Sequence, residues 1–328
     1  MDNPSFDIVG IGDTVVDAFI KISAGHTQET ATGTEYCLPY GAKVPYDDVT
    51  ILPAVGNSAN AVVAASRLGL NAGIVTSLGN DQYGKECIEK LTSEKISLMF
   101  INQVEGKHTN YHYVLWHGDD RTILIKHEHF DVDLVDIGNP KWIYLSSLGE
   151  QTLEFHHEIT SYMETHPDIK LAFQPGTFQL RFKKDISDIY KKSEVICVNK
   201  EEAQGLLETD EHDIKKLLDM LEAWGPKITL ITDGHAGAYM KYNGEYFNMP
   251  IYPDEKPPFD RTGAGDAFFS TFISYLAKGM DPKEAIKRAP INSMNVVQFI
   301  GAQEGLLTEE KIEEFLQKAP ENYRLTKI

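Results

Sequence analysis

Strand-like and helical patterns alternate along most of this chain, and that alternation restricts its fold more than any other feature. Residues 6–12 (FDIVGIG) form a nearly continuous apolar run ending in glycine, as expected of a strand buried on both faces. Residues 57–69 (NSANAVVAASRLG) read as a helix, with Asn57 or Ser58 placed to cap it and Gly69 to end it. Further strands are expected near 72–77, 142–146, 169–174, 194–198 and 227–232, with helices near 81–93, 150–164 and 200–222. The last third turns helical, near 265–279, 282–298 and 308–318. Strands alternating with helices imply βαβ units and a mainly parallel sheet in an α/β protein.

Two segments break the rhythm. Residues 14–52 are long and punctuated by glycine and proline, and residues 97–127 hold the strand-like runs LMFIN, TNYHYVLWH and RTILIKH. The HGDDR stretch, His117 to Arg121, suits a hairpin turn between the last two. With no helix between these strands, both segments are expected to form one small antiparallel sheet standing off the main body. The 328 residues show no repeat and no long Pro/Ser linker, so one domain over 1–328 is expected, with the small sheet from about 14–52 and 97–127 inserted in it.

Charge narrows the partners. Lys and Arg number 31 against 49 Asp and Glu, a net charge of −18. Such a surface repels phosphate backbones and anionic lipid, so neither nucleic acid nor a membrane is an expected partner. A small anion would need backbone donors or a metal ion. Cys37, Cys87 and Cys197 are far apart and form no zinc spacing, which suits reduced thiols in the cytoplasm. The start, MDNPSFDIVGIGD, lacks a basic leader, and no stretch approaches the roughly 18 apolar residues of a membrane span.

The run from Asp260 to Phe269, DRTGAGDAFF, carries the most chemistry. Gly263, Ala264 and Gly265 suit a tight turn into a helix, whose outward N–H groups attract phosphate oxygens. Asp266 then sits in the first turn, either as a carboxylate complementing the helix dipole or as a base beside a phosphate-binding turn. GNDQYGKE (79–86) nearly matches a Walker A loop, but Glu86 replaces the hydroxyl residue and would repel phosphate. No GxGxxG supports a dinucleotide fold. His108 and His112 share strand parity, as do His127 and His129, which suits alternating residues on a half-exposed sheet rather than a metal site. Arg121 is placed either to reach a substrate anion or to be a solvated turn residue.

DRTGAGDAF resembles the C-terminal signature of the PfkB/ribokinase family of carbohydrate kinases. Five other segments follow in family order. They are GDTVVD (12–17), AVGNSANAVVAASRLG (54–69), SLGNDQYG (77–84), VNKEEA (198–203) and TDGHAGA (232–238). The resemblance runs from about residue 6 to 318 and implies a ribokinase-like three-layer α/β/α core with a small β-sheet lid. It makes Asp266 the general base and Gly263, Ala264 and Gly265 the anion hole. It assigns Asn199 and Glu202 to the Mg²⁺–phosphate shell, with a helix cap pair as the alternative reading of their spacing. Thr232, Gly234 and Gly237 would line the nucleotide loop, and Asp17, Gly56, Asn57 and Asn60 the pocket for substrate hydroxyls. Asp260 would help hold a K⁺ ion, with the loop GAQEG (301–305) as the second half of that site. The usual Gly-Gly is here Val55–Gly56, and APINSMNVV (289–297), near the expected adenine site, is atypical.

The implied reaction is ATP-dependent phosphorylation of a sugar hydroxyl. A nucleoside kinase of the same family is the alternative, because Tyr36, Tyr40, Tyr46, Tyr111, Tyr113 and Trp116 could stack on a purine. In TNYHYVLWH both faces carry large apolar groups, so a homodimer through the lid is expected.

Overall fold

The computed structural model describes residues 5–328, apart from 32, 119 and 255. The strands, in chain order, are β1 (Ile8–Ile11), β2 (Val15–Lys21), β3 (His26–Thr30), β4 (Gly33–Cys37), β5 (Asp48–Val55), β6 (Ala72–Gly79), β7 (Ile101–Val104), β8 (Asn110–His117) and β9 (Asp120–Leu124). They continue with β10 (Trp142–Leu145), β11 (Lys170–Phe173), β12 (Ser193–Asn199), β13 (Ile228–Thr232), β14 (Ala238–Tyr242), β15 (Glu245–Met249) and β16 (Thr326–Lys327). The larger sheet runs β16-β15-β14-β13-β12-β11-β10-β1-β6-β7 and is parallel from β13 to β7. A smaller sheet, β5-β2-β8-β9, has a parallel central pair flanked by antiparallel ones, and β3 and β4 form a separate hairpin.

The helices are α1 (Asn57–Arg67), α2 (Gln82–Ser93), α3 (Leu153–Thr165), α4 (Thr177–Phe182), α5 (Ser187–Lys192), α6 (Lys200–Leu207), α7 (Ile214–Glu222), α8 (Ala264–Ala277), α9 (Pro282–Ala285), α10 (Ala289–Val296) and α11 (Glu309–Gln317). Two hydrophobic clusters sandwich the sheet, so the expected α/β/α layering with a mainly parallel sheet holds. Residues 267–277 of α8 are buried on every side, as a helix apolar all round must be.

The differences from the sequence reading have local causes. The run 200–222 is two helices, because Glu208 takes a left-handed φ of 52° and closes α6. The run 282–298 also divides, with Pro290 in the first turn of α10. The LMFIN strand does not join the small sheet; β7 pairs in parallel with β6 at the edge of the large one. Neither Asn57 nor Ser58 caps α1, whose N-cap is Gly56. Ser58 Oγ instead donates to the Ile11 carbonyl at 2.7 Å, and Asn57 reaches Asp266. The HGDDR hairpin forms, with His117 opposite Asp120, but Asp119 lies outside the described residues.

A buried histidine makes this core sensitive to acid. His156 on α3 is fully buried; its Nδ1–H donates to the Thr152 carbonyl at 2.6 Å, while Nε2 has no partner. Burial pushes its pKa down to about 4 from 6.5. Between those values the unfolded chain binds a proton that the native chain refuses, so stability falls as pH drops through that window. The loss should approach about 3 kcal/mol at the acid end. Urea unfolding at pH values across the window should show this slope, and His156→Phe should flatten it; parallel slopes for the two proteins would refute the assignment.

Candidate active site

The strand order itself locates a crevice. β1 lies between β10 and β6, so the chain leaves it in opposite directions, and the loops part at the C-terminal ends of the strands. Asp13 follows β1, Gln174 follows β11, and Asn199 and Thr232 end β12 and β13. The N-terminus of α8 belongs to the same rim: Ala264 and Gly265 line a cleft with Thr232, Gly234 and Gly237.

Gly263 is the N-cap of α8, with φ 79°. A Cβ there would fall 2.2 Å from the Ala302 Cβ, so both conformation and space require glycine. The turn places Asp266, half-buried, against three side-chain amides. Its Oδ1 accepts from Asn57 Nδ2 at 2.7 Å and Gln174 Nε2 at 3.0 Å, and Oδ2 accepts from Asn60 Nδ2 at 2.8 Å. Burial pushes the Asp266 carboxyl up, the three N–H donors oppose that, and the Asp17 carboxylate adds to the rise. Gln174 escaped the sequence reading. Its one signal was a polar residue directly after an apolar strand run, at the strand end where α/β sites are built.

The small sheet supplies the opposite wall. Asp17 on β2 is paired in register with His112 on β8, and their Oδ1 and Nδ1 lie 3.4 Å apart. Asp17 Oδ1 and His112 Nε2 are buried without hydrogen-bond partners. Asp13 Oδ2 accepts from His127 Nδ1 at 2.9 Å, and the rings of His112 and His127 meet edge to face at 5.6 Å. Gly56 joins this sheet to α1 with φ 112°, and a Cβ there would lie 2.6 Å from the Asp13 carbonyl oxygen. The family's first glycine of the pair is Val55 here, and the second left-handed residue of the junction is Ala54, at φ 57°.

On the other side of the α8 turn is a cleft of about 220 Å³. Ser293 and Met294 reach it, but the asparagines of the same stretch are occupied elsewhere. Asn292 bonds Thr271 Oγ1 at 2.8 Å, and Asn295 bonds the Gly305 carbonyl at 2.6 Å.

Asn199 and Glu202 form a reciprocal capping box on α6, with bonds of 2.7 and 2.8 Å. Burial raises the Glu202 carboxyl, the Asn199 N–H lowers it, and the charge of Asp266 raises it. Among the described residues, neither carboxylate is paired with a lysine or arginine. No cluster of three metal-ligating side chains occurs among the described residues, so Glu202, whose charge no lysine or arginine meets, suits a divalent cation only as one ligand beside phosphate oxygens. Asp260 is different. Its Oδ1 accepts from Thr262 N at 2.9 Å and Thr262 Oγ1 at 2.6 Å, its Oδ2 from Gly301 N at 2.8 Å, and Arg121 Nη1 lies 3.9 Å away. Donors and an arginine already meet this carboxylate's charge, so these residues do not fit a K⁺ site as they stand. Arg121 thus approaches this turn from the small sheet.

Residues 49–309 match the pfkB family carbohydrate kinase model. A similar protein is the ATP-dependent 6-phosphofructokinase of Thermoanaerobacterium thermosaccharolyticum, 25% identical over 316 residues, covering 92% of this chain and 91% of that one. Arabidopsis thaliana ribokinase, solved in complex with ribose and ATP, superposes with a TM-score of 0.80 at 18% identity, covering 96% of this chain and 99% of that one. The Methanocaldococcus jannaschii nucleoside kinase, a ribokinase-family member, gives 0.78 at 17%, covering 96% and 100%. Its sequence motifs in order, its ribokinase-like fold and the matched model all agree: the chain belongs to the PfkB family of carbohydrate kinases.

Proposed function

We propose that this protein transfers the γ-phosphoryl group of ATP to a hydroxyl group of a sugar, with Asp266 as the general base. One observation carries the reading. A single helical turn presents Ala264 and Gly265 to the cleft on one side and the Asp266 carboxylate to the Asp17 wall on the other. A phosphate chain in the cleft would meet the backbone N–H groups of Gly263, Ala264 and Gly265 at the positive end of the α8 dipole. An acceptor hydroxyl between Asp17 and Asp266 would then stand in line with it. Asp266 would take the hydroxyl proton as the oxygen attacks, while positioning and electrostatics lower the barrier. Glu202, with Asn199, would hold Mg²⁺, which supplies charge neutralisation on the phosphates when bound. Asp17, Gly56, Asn57 and Asn60 would orient the acceptor, and Thr232, Gly234 and Gly237 would bound the nucleotide. The small sheet would serve as the lid that excludes water.

A sugar is favoured over a nucleoside by where the aromatic residues go. Tyr36 stacks on His117 at 4.7 Å, Trp116 packs on Phe259, and Tyr111 clusters with Tyr83 and Tyr113. Tyr40 and Tyr46 are exposed. Strand alternation sets Tyr111 and Tyr113 on the face opposite Asp17 and its neighbour, the polar His112. An ADP-release screen over ribose, fructose, 2-keto-3-deoxygluconate, fructose phosphates and nucleosides separates the two readings.

A homodimer through the lid is supported by the sheet's outer face. Register places Ile51, Ala18, Tyr113 and Leu124 in one row across four strands, and Ile51, Tyr113 and Leu124 are each about half exposed. Monomers rarely leave such a patch uncovered. Light scattering should give twice the chain mass of 36.8 kDa at micromolar concentration; the monomer mass would rule the dimer out.

Asp266→Asn is nearly isosteric and should fold normally. It should lower kcat by about 10²–10⁴ and leave ATP binding little changed. A variant within a few-fold of wild type would remove Asp266 as the base. Exchange of K⁺ for Na⁺ at constant ionic strength should change activity by no more than about two-fold, since Asp260 is already satisfied. A strong and specific K⁺ response would instead place a cation beside Asp260.

A further inference from the structure

The three donors on Asp266 are amides, and an amide can face either way. A half-turn would replace N–H with an oxygen and set it against a carboxylate. Two buried side chains beyond the immediate contacts of Asp266 prevent this at two of the three, Gln174 and Asn60. The fully buried Tyr144 hydroxyl donates to Gln174 Oε1, which leaves Nε2 to face Asp266. Gln303, 5% exposed, donates from Nε2 to Asn60 Oδ1 at 3.0 Å, which leaves Asn60 Nδ2 to face Asp266. The same Nε2 also donates to the Ala54 carbonyl at 2.7 Å, and the Gln303 carbonyl accepts from Arg67 Nη1 at 2.8 Å. Gln303 is therefore held from both ends of its residue.

The donor arrangement is uneven. Oδ1 receives two N–H groups and Oδ2 only one. A carboxylate oxygen has two acceptor sites, so the open one is on Oδ2.

We propose that Tyr144 and Gln303 are positioning residues that lock the amides of Gln174 and Asn60 with N–H inward, so that Asp266 keeps one open acceptor site, on Oδ2, for the substrate hydroxyl. This rests on the reading of Asp266 as the base. In the step, the acceptor O–H bond breaks and its proton goes to Oδ2. The freed electron pair on oxygen forms the bond to the γ-phosphorus of ATP. The bond from that phosphorus to the bridging oxygen breaks, and its electrons leave with ADP.

The ionisable groups facing Asp266 are Asp17 from β2, Glu202 from α6, Tyr144 from β10 and Cys197 from β12; α1 contributes the neutral Asn57 and Asn60. Asp17 opposes ionisation of Asp266 and the three amide donors favour it, so the orientation of the amides has leverage on it.

The test is kinetics of Tyr144→Phe, Gln303→Leu and Gln303→Glu over about pH 5–9, with ATP and the best acceptor among ribose, fructose, fructose 6-phosphate and adenosine. Tyr144→Phe removes one oxygen atom. Gln303→Glu keeps the shape but replaces the donor with an oxygen, so it remains informative if Gln303→Leu fails to fold. Each variant should lower kcat about 5- to 20-fold near neutral pH and move the acid limb upward by about half to one unit. KM for ATP should stay within about two-fold, and Gln303→Glu should be the most impaired. Folded Tyr144→Phe and Gln303→Glu with wild-type kcat and an unmoved limb would overturn the proposal while an inactive Asp266→Asn preserved the base. An active Asp266→Asn, or turnover of none of the four acceptors, would bring down the underlying reading and this proposal with it.

Discussion

One half-buried carboxylate, Asp266 at the start of a helix buried on every side, is the point on which the rest of the site converges. Burial alone would favour its protonated form. The N–H groups of Asn57, Asn60 and Gln174 oppose that, and they come from α1 and from the loop after β11, elements far apart in the chain. The close approach of these elements follows from small residues. Gly263 lets α8 start against Ala302, and Gly56 lets α1 start against Asp13. A side chain at either glycine would push the donors away from the carboxylate.

The small sheet acts on the same centre through charge rather than packing. Its inward row carries Asp17 and His112, and an inward arginine, Arg121, approaches Asp260 at the base of the α8 turn. Its outward row is apolar from Ile51 to Leu124. Strand alternation thus divides one element between a polar pocket wall and a surface suited to association. The junction to α1 passes through Ala54, whose left-handed φ is unusual for a residue with a Cβ, and whose carbonyl is bonded by Gln303. Junction, loop and donor set are consequently parts of one hydrogen-bonded unit.

Much of this was legible in the chain itself. Continuous apolar runs flanked by helical periods identified the parallel strands, because a strand covered on both faces has no polar side to show. The Gly263–Asp266 turn was legible because a helix entry of this kind needs particular residues within a few positions. The failures are equally physical. Asn57 has the chemistry of a cap, yet its side chain is spent on a carboxylate 209 residues away. The strand at 101–104 had the composition of its neighbours, and only the free edge of β6 decided which sheet it joined.

The sequence by itself determined the periodicities, the turn chemistry and the order of motifs, and through them the α/β class and the family. These depend on interactions between residues a few positions apart, which a linear pattern records. The tertiary structure alone brought Gln174 onto Asp266, Tyr144 onto Gln174 and Gln303 onto Asn60, set Arg121 beside Asp260, and packed Tyr111 against Tyr83. Each of these is a contact between distant segments. Which end of an amide faces a charge, or which side of a strand faces a pocket, is set only when those segments pack together.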